Sequence, residues 1–181
     1  MLALPLAALA ALLTGGGSAA AAPATSTTPG RVPTAASPAA TAPGPAATAA
    51  PGGRLSAADA AAVVRASGYT PTDTSGYDPD RTLSVILGML ATSADGHPQR
   101  AFLFHDGRYV ATDAALPSAT VGWIWSTDDT VALQYQLYRP DDPMCCPTAG
   151  AATVRFVWAG SAVAPIDPLP SSDWDAPTSR R

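Results

Sequence analysis

The sequence predicts an α+β domain: one N-terminal helix packed on an antiparallel meander of about six strands, preceded by a disordered Ala/Pro/Thr-rich tether. Three observations carry this expectation. Residues 1–54 hold no acidic and no aromatic residue, so nothing there builds a core against the entropy of ordering. Residues 57–67 follow a helical apolar spacing behind a capping sequence. Beyond residue 83 the apolar period shifts towards two, between Gly-, Pro- and Asp-rich turns.

The elements follow in order. Leu2 to Leu13 is a short apolar run, long enough for a signal-peptide core and too short for a membrane span. Small residues follow, with A-x-A cleavage patterns at Ala19–Ala21 and Ala20–Ala22, so residues 1–21 are expected to be a signal peptide. No Arg or Lys precedes the run, which leaves open a start further upstream. Residues 22–54 carry seven prolines between Pro23 and Pro51 and are expected to be a disordered linker.

The folded head is expected over residues 55–170. Ser56 and Asp59 form a capping-box-like start, and Gly68 suits the end of the helix. Tyr69 to Asp80 reads as loop. Leu83 to Leu90 reads as a buried strand or a short helix. Arg100 to His105 and Arg108 to Asp113 read as a hairpin closed by Asp106-Gly107, the best turn signal in the chain. Thr120 to Trp125 is expected to place Val121, Trp123 and Trp125 on one face. Thr130 to Tyr138 alternates, with Val131, Leu133, Tyr135 and Leu137 opposite Gln134 and Gln136. Arg139 to Gly150 reads as a long loop. Thr153 to Trp158 and Ser161 to Ile166 read as a last pair. Residues 171–181 read as a loose tail.

Composition excludes several functions. All ten basic residues are Arg and all fourteen acids are Asp, for a net charge of −4. Within residues 55–170, six Arg stand against twelve Asp, a formal −6. Such a domain is ill suited to nucleic acid. The absence of Asn removes N-linked glycosylation sites.

The block Phe102-Leu103-Phe104-His105-Asp106-Gly107-Arg108-Tyr109 resembles the core of the LppP/LprE lipoprotein family of actinobacteria. Further stretches agree in order: Tyr77-Asp78-Pro79, then Asp128 to Val131 with Tyr135, then Asp141 to Gly150, which includes Pro147. Arg155 to Trp158 follows, leading to Asp167-Pro168-Leu169-Pro170. The family-motif residues are thus Phe104, His105, Gly107, Tyr109, Asp129, Tyr135, Pro147, Gly150, Trp158, Pro168 and Pro170. The resemblance implies an exported envelope protein with no established biochemical activity. Two departures stand out. Residues 13–16 have lipobox spacing, but Gly16 stands where the lipidated Cys belongs, so membrane association is open. Many members carry a Cys after the first Asp-Pro, where this chain has Asp80, which implies that Cys145 or Cys146 lacks a partner.

Cys145 and Cys146 are the only cysteines. They leave three options: a vicinal bridge, two free thiols, or an intermolecular bridge. Their adjacency lacks the separated pairs of a zinc motif, and no metal site or cofactor is expected. No phosphate loop, dinucleotide fingerprint or nucleophile elbow occurs. Asp128-Asp129 and Asp141-Asp142 are paired carboxylates, but adjacent residues point apart. The leading expectation is therefore a non-catalytic binding or structural role towards an unknown envelope component or ligand. A thiol-dependent redox or hydrolytic enzyme using Cys145 or Cys146 is the first alternative. An apolar small-molecule carrier, with a cavity behind Trp123, Trp125, Trp158 and Tyr135, is the second.

Overall fold

The structure, a computed structural model, describes residues 53–181. The expected signal segment, the lipobox-like residues 13–16 and the linker up to residue 52 lie outside the described residues. Among the described residues no helix is long and apolar enough to cross a membrane.

Helix α1 spans Ala57–Ala66 and starts where the capping sequence predicts. The Ser56 Oγ accepts from the Asp59 N–H at 3.2 Å. Eight strands follow: β1 (Tyr69–Asp73), β2 (Leu83–Leu90), β3 (Gln99–His105), β4 (Arg108–Thr112), β5 (Val121–Ser126), β6 (Thr130–Gln136), β7 (Ala151–Trp158) and β8 (Val163–Pro165). They form two four-stranded antiparallel meanders, β1-β2-β3-β4 and β5-β6-β7-β8. The α+β class and the meander connectivity hold, with more strands than expected and two sheets in place of one.

The three layers follow from strand alternation. Leu83, Val85, Leu87 and Leu103 face Val131, Leu133, Tyr135, Val154 and Phe156 of the second sheet. On the other face of the first sheet, Ile86, Phe102 and Phe104 receive Ala60 and Val64 of α1. Strands β2 and β3 are thus covered on both faces. This explains the near-continuous apolar run over Leu83–Leu90, which periodicity alone cannot assign to strand or helix. Gly88 lets the helix approach. A Cβ there would lie 2.9 Å from Val64 Cγ1 and 3.0 Å from Phe102 Cε2. The Asp106-Gly107 hairpin closes with φ of 48° and 70°, the left-handed pair that a two-residue turn requires.

Three expectations are corrected. Tyr69–Asp73 is a strand, not loop. It lies at the sheet edge, where the missing N–H of Pro71 breaks no inner ladder, and a register shift follows between Pro71 and Asp73. Trp125 does not share the inner face with Val121 and Trp123. A bulge between Trp123 and Trp125 flips the alternation, and Trp125 is left 42% exposed. Residues 171–181 are not a loose tail. Tyr138 and Ser179 exchange backbone hydrogen bonds of 2.8 and 2.9 Å. The Arg181 guanidinium lies between the Tyr138 and Trp174 rings and donates to the carbonyls of Arg139, Pro140 and Asp142. Arginines supply donors to loop carbonyls that no local pattern reveals. Ordered contacts also begin one residue earlier than expected, with Arg54 Nη1 3.4 Å from Asp80 Oδ1.

Candidate functional site

The two sheets meet where β2 packs on β5 and β6, and β3 on β5. β4 and β8 are edge strands, and between them lies a groove of about 890 Å³. The inner-facing Phe156 and Trp158 of β7, Val110 of β4 and Val163 of β8 give it apolar walls. Leu116 and Leu169, from the connections, complete them.

A buried polar cluster borders this groove. Asp113 follows β4 directly and is 7% exposed. Its Oδ1 accepts from the Ala101 N–H at 3.0 Å, and its Oδ2 accepts from the Tyr135 hydroxyl at 2.9 Å. Burial pushes the Asp113 carboxyl up from its ordinary value, opposed by these two donors and by Arg180 and Arg100. Burial, with the Asp113 charge second, pushes the Tyr135 hydroxyl up as well. Arg180 sits on the groove wall and is 3% exposed. Its Nη1 donates to Leu116 O at 2.9 Å and Ser118 Oγ at 2.7 Å, and its Nε donates to Pro170 O at 3.2 Å. Burial lowers the Arg180 guanidinium from its ordinary value, and the Asp113 charge opposes this. Arg100 holds the same chain segment from the other side, donating to Ala114 O at 2.9 Å and Ala115 O at 2.8 Å. The segment after β4 is therefore clamped between two guanidinium groups.

The residues singled out in the sequence fall into separate places. Phe104 is buried under the helix, in edge contact with Tyr77 and Tyr109. His105 stacks on Trp158 with ring centroids 3.8 Å apart, and its Nδ1 donates to Thr82 O at 2.7 Å. This stack joins the ends of β3 and β7, so only Trp158 of the pair reaches the groove. Gly107 forms the hairpin turn, and its carbonyl accepts from the Leu55 N–H at 2.9 Å. Tyr109 bridges the outer core and the groove edge. Asp129 accepts from the hydroxyls of Thr127 and Thr130, which lower its carboxyl. Its neighbour Asp128 instead accepts from Thr82, so the two carboxylates do point apart. Pro147 and Gly150 belong to the loop after Tyr138, which Asp142 braces by accepting from Arg139 and Thr148. Pro168 is exposed, and Pro170 supplies the carbonyl to Arg180.

Cys145 and Cys146 are exposed and joined to each other as a vicinal disulfide, one of the three options. They partner each other, so neither lacks one. They do not reach the groove. The adjacent Met144 lines a second cavity of about 400 Å³ with His97, Leu116, Trp174 and Arg181. Among the described residues no His, Cys, Asp or Glu side chains are grouped to hold a metal. Sequence reasoning missed Asp113 and Arg180. Asp113 reads as an ordinary strand-end acid and Arg180 as part of a polar tail, and only the folded chain buries both.

Comparison with known proteins matches residues 75–161 to a family model described as LppP/LprE lipoprotein. No curated protein and no solved structure matches the chain. Asp113, Tyr135, Phe156 and Trp158 lie inside the matched stretch, and Arg180 lies beyond it. The family's description as lipoproteins implies an envelope or exported location. Over residues 75–161 the chain thus matches the LppP/LprE lipoprotein family, the resemblance that its motifs imply.

Proposed function

We propose that this protein is an exported binding protein of the actinobacterial cell envelope, without catalysis, and that it takes a small ligand in the groove between β4 and β8. The groove itself carries the reading. Its volume of about 890 Å³ falls within the range of small-molecule sites, about 300–1,000 Å³. Its walls are mostly apolar, and two buried charged groups, Asp113 and Arg180, stand among them. The family supports the location, and the apolar run Leu2–Leu13 before small residues supports export. Gly16 has no thiol for a thioether lipid, so the exported species is free of lipid at that position. The carrier alternative merges with this reading, although Trp158 alone of the tryptophans lines the groove. The hydrolytic form of the thiol alternative needs a free thiol, whereas Cys145 and Cys146 are bridged; an exposed vicinal disulfide is compatible with its redox form.

Native mass spectrometry of the full chain exported from an actinobacterial host tests both parts. The expected species is soluble, carries no covalent lipid, and retains a small-molecule adduct. An Ala162→Trp variant, which fills the groove from the exposed β7–β8 turn, loses that adduct. An adduct that survives in the variant overturns the groove as the binding site. A covalent lipid mass overturns the secreted form.

A further inference from the structure

We propose that the groove's ligand is a single-chain amphiphile with an acidic head, its carboxylate held by the Arg180 guanidinium and its chain lying against Val110, Phe156, Trp158 and Leu169. This rests on the groove reading above and adds the chemical class.

The charge arrangement is the first argument. Arg180 is 97% buried by its 3% exposure, yet none of the ion pairs among the described residues includes it. Its Nε and Nη1 are used on Pro170, Leu116 and Ser118, and its Nη2 has no hydrogen-bond partner among the described residues. The nearest compensating charge is Asp113, which already accepts from Ala101 and Tyr135 and also feels Arg100. Two guanidinium groups thus share one carboxylate, a local positive excess inside an acidic domain. Nη2 is not among the buried atoms left without a partner, so it reaches the groove's solvent, and a ligand carboxylate accepting there replaces water with a charge-assisted hydrogen bond.

The walls are the second argument. Away from Arg180 the groove presents Val110, Phe156, Trp158 and Leu169, which suit an alkyl chain. A cationic head is repelled by Arg180 and Arg100.

The test is a calorimetric titration of the delipidated full chain, below micelle concentrations, with dodecanoate, dodecan-1-ol and dodecyltrimethylammonium. The chain length is constant and only the head changes. Dodecanoate is expected to bind about tenfold to hundredfold more tightly than dodecan-1-ol, the span of a charge-assisted hydrogen bond. Dodecyltrimethylammonium is expected to bind most weakly. Arg180→Gln is expected to abolish the difference between dodecanoate and dodecan-1-ol. Should that variant fail to fold, the three heads on the wild-type chain still decide the question. Equal binding of dodecanoate and dodecan-1-ol, both abolished by Ala162→Trp, overturns the acidic head and leaves the groove standing. Dodecanoate binding that Ala162→Trp does not weaken overturns the groove as well. Binding of none of the three overturns the amphiphile.

Discussion

Replacing Tyr135 by Phe removes one hydroxyl from the buried cluster and leaves the packing intact. The ring is fully buried in the core between the sheets, and Phe keeps its shape. What is lost is the 2.9 Å hydrogen bond to Asp113 Oδ2. A hydrogen bond to a charged group contributes about 1.5–3 kcal/mol, and a neutral one about 0.5–1.5 kcal/mol. We therefore expect a loss of about 2 kcal/mol at neutral pH, seen as a fall in Tm of roughly 5–15 °C for a domain of this size. The defect is also pH-dependent. Burial raises the folded-state pKa of Asp113 above its unfolded value of about 3.9. The stability it contributes is then complete below that unfolded value and is lost as pH rises through the folded one. The Tyr135 hydroxyl favours the charged form, so without it the folded pKa rises further. The cost of Tyr135→Phe should thus grow with pH, and it should shrink to the neutral hydrogen-bond range in an Asp113→Asn background. Urea unfolding at pH 4 and pH 8, on the two single variants and the double, provides the measurement. A Tyr135→Phe cost below about 0.5 kcal/mol at both pH values would refute the reasoning, because a buried acceptor cannot lose its donor so cheaply.

Three further outcomes are expected. The Asp167 carboxyl should titrate at about 2 by NMR, held down by the Arg155 guanidinium 2.8 Å away, and Arg155→Ala should return it towards about 3.9. The depressed value means that this pair supports the fold above about pH 3.9 and that the support is lost as pH falls through about 2. Phe104→Ala should cost about 3–5 kcal/mol by chemical denaturation, since it empties a fully buried site between Tyr77 and Tyr109; a cost under about 1 kcal/mol speaks against a tightly packed helix–sheet layer. Intact mass of the non-reduced monomer should lie below that of the reduced chain by two hydrogens, matching the Cys145–Cys146 pairing, and a disulfide-linked dimer contradicts it.

Much of the fold was readable along the chain because its signals are local. Ser56 and Asp59 announce α1, Asp106-Gly107 announces the β3–β4 hairpin, and Val131, Leu133 and Tyr135 announce the inner face of β6. Each depends on neighbours within four residues, the distance over which backbone geometry and period act. Where local signals conflicted, the reading failed. Pro71 and the polar residues around it suppressed β1, which exists because the edge of β2 offered it a partner. The bulge that turns Trp125 outward is decided by pairing with β6 and leaves no mark in the alternation itself.

The candidate site was less legible. The motif residues His105, Tyr135 and Trp158 were picked out, but their roles depend on meetings across the sheets, as when β3 and β7 bring His105 onto Trp158. From the chain alone came the class of the head, the order of its hairpins, the acidic balance, the export-like leader and the absence of a thiol at Gly16. These follow from composition and short-range pattern. The splitting of the meander into two sheets, the groove between β4 and β8, and the burial of Asp113 beside Arg180 came only with the tertiary structure. Asp113 and Arg180 are 67 residues apart in sequence, and no periodicity spans that distance. Their environment arises from packing, which raises an otherwise ordinary carboxyl by removing its water and leaves a guanidinium short of a partner.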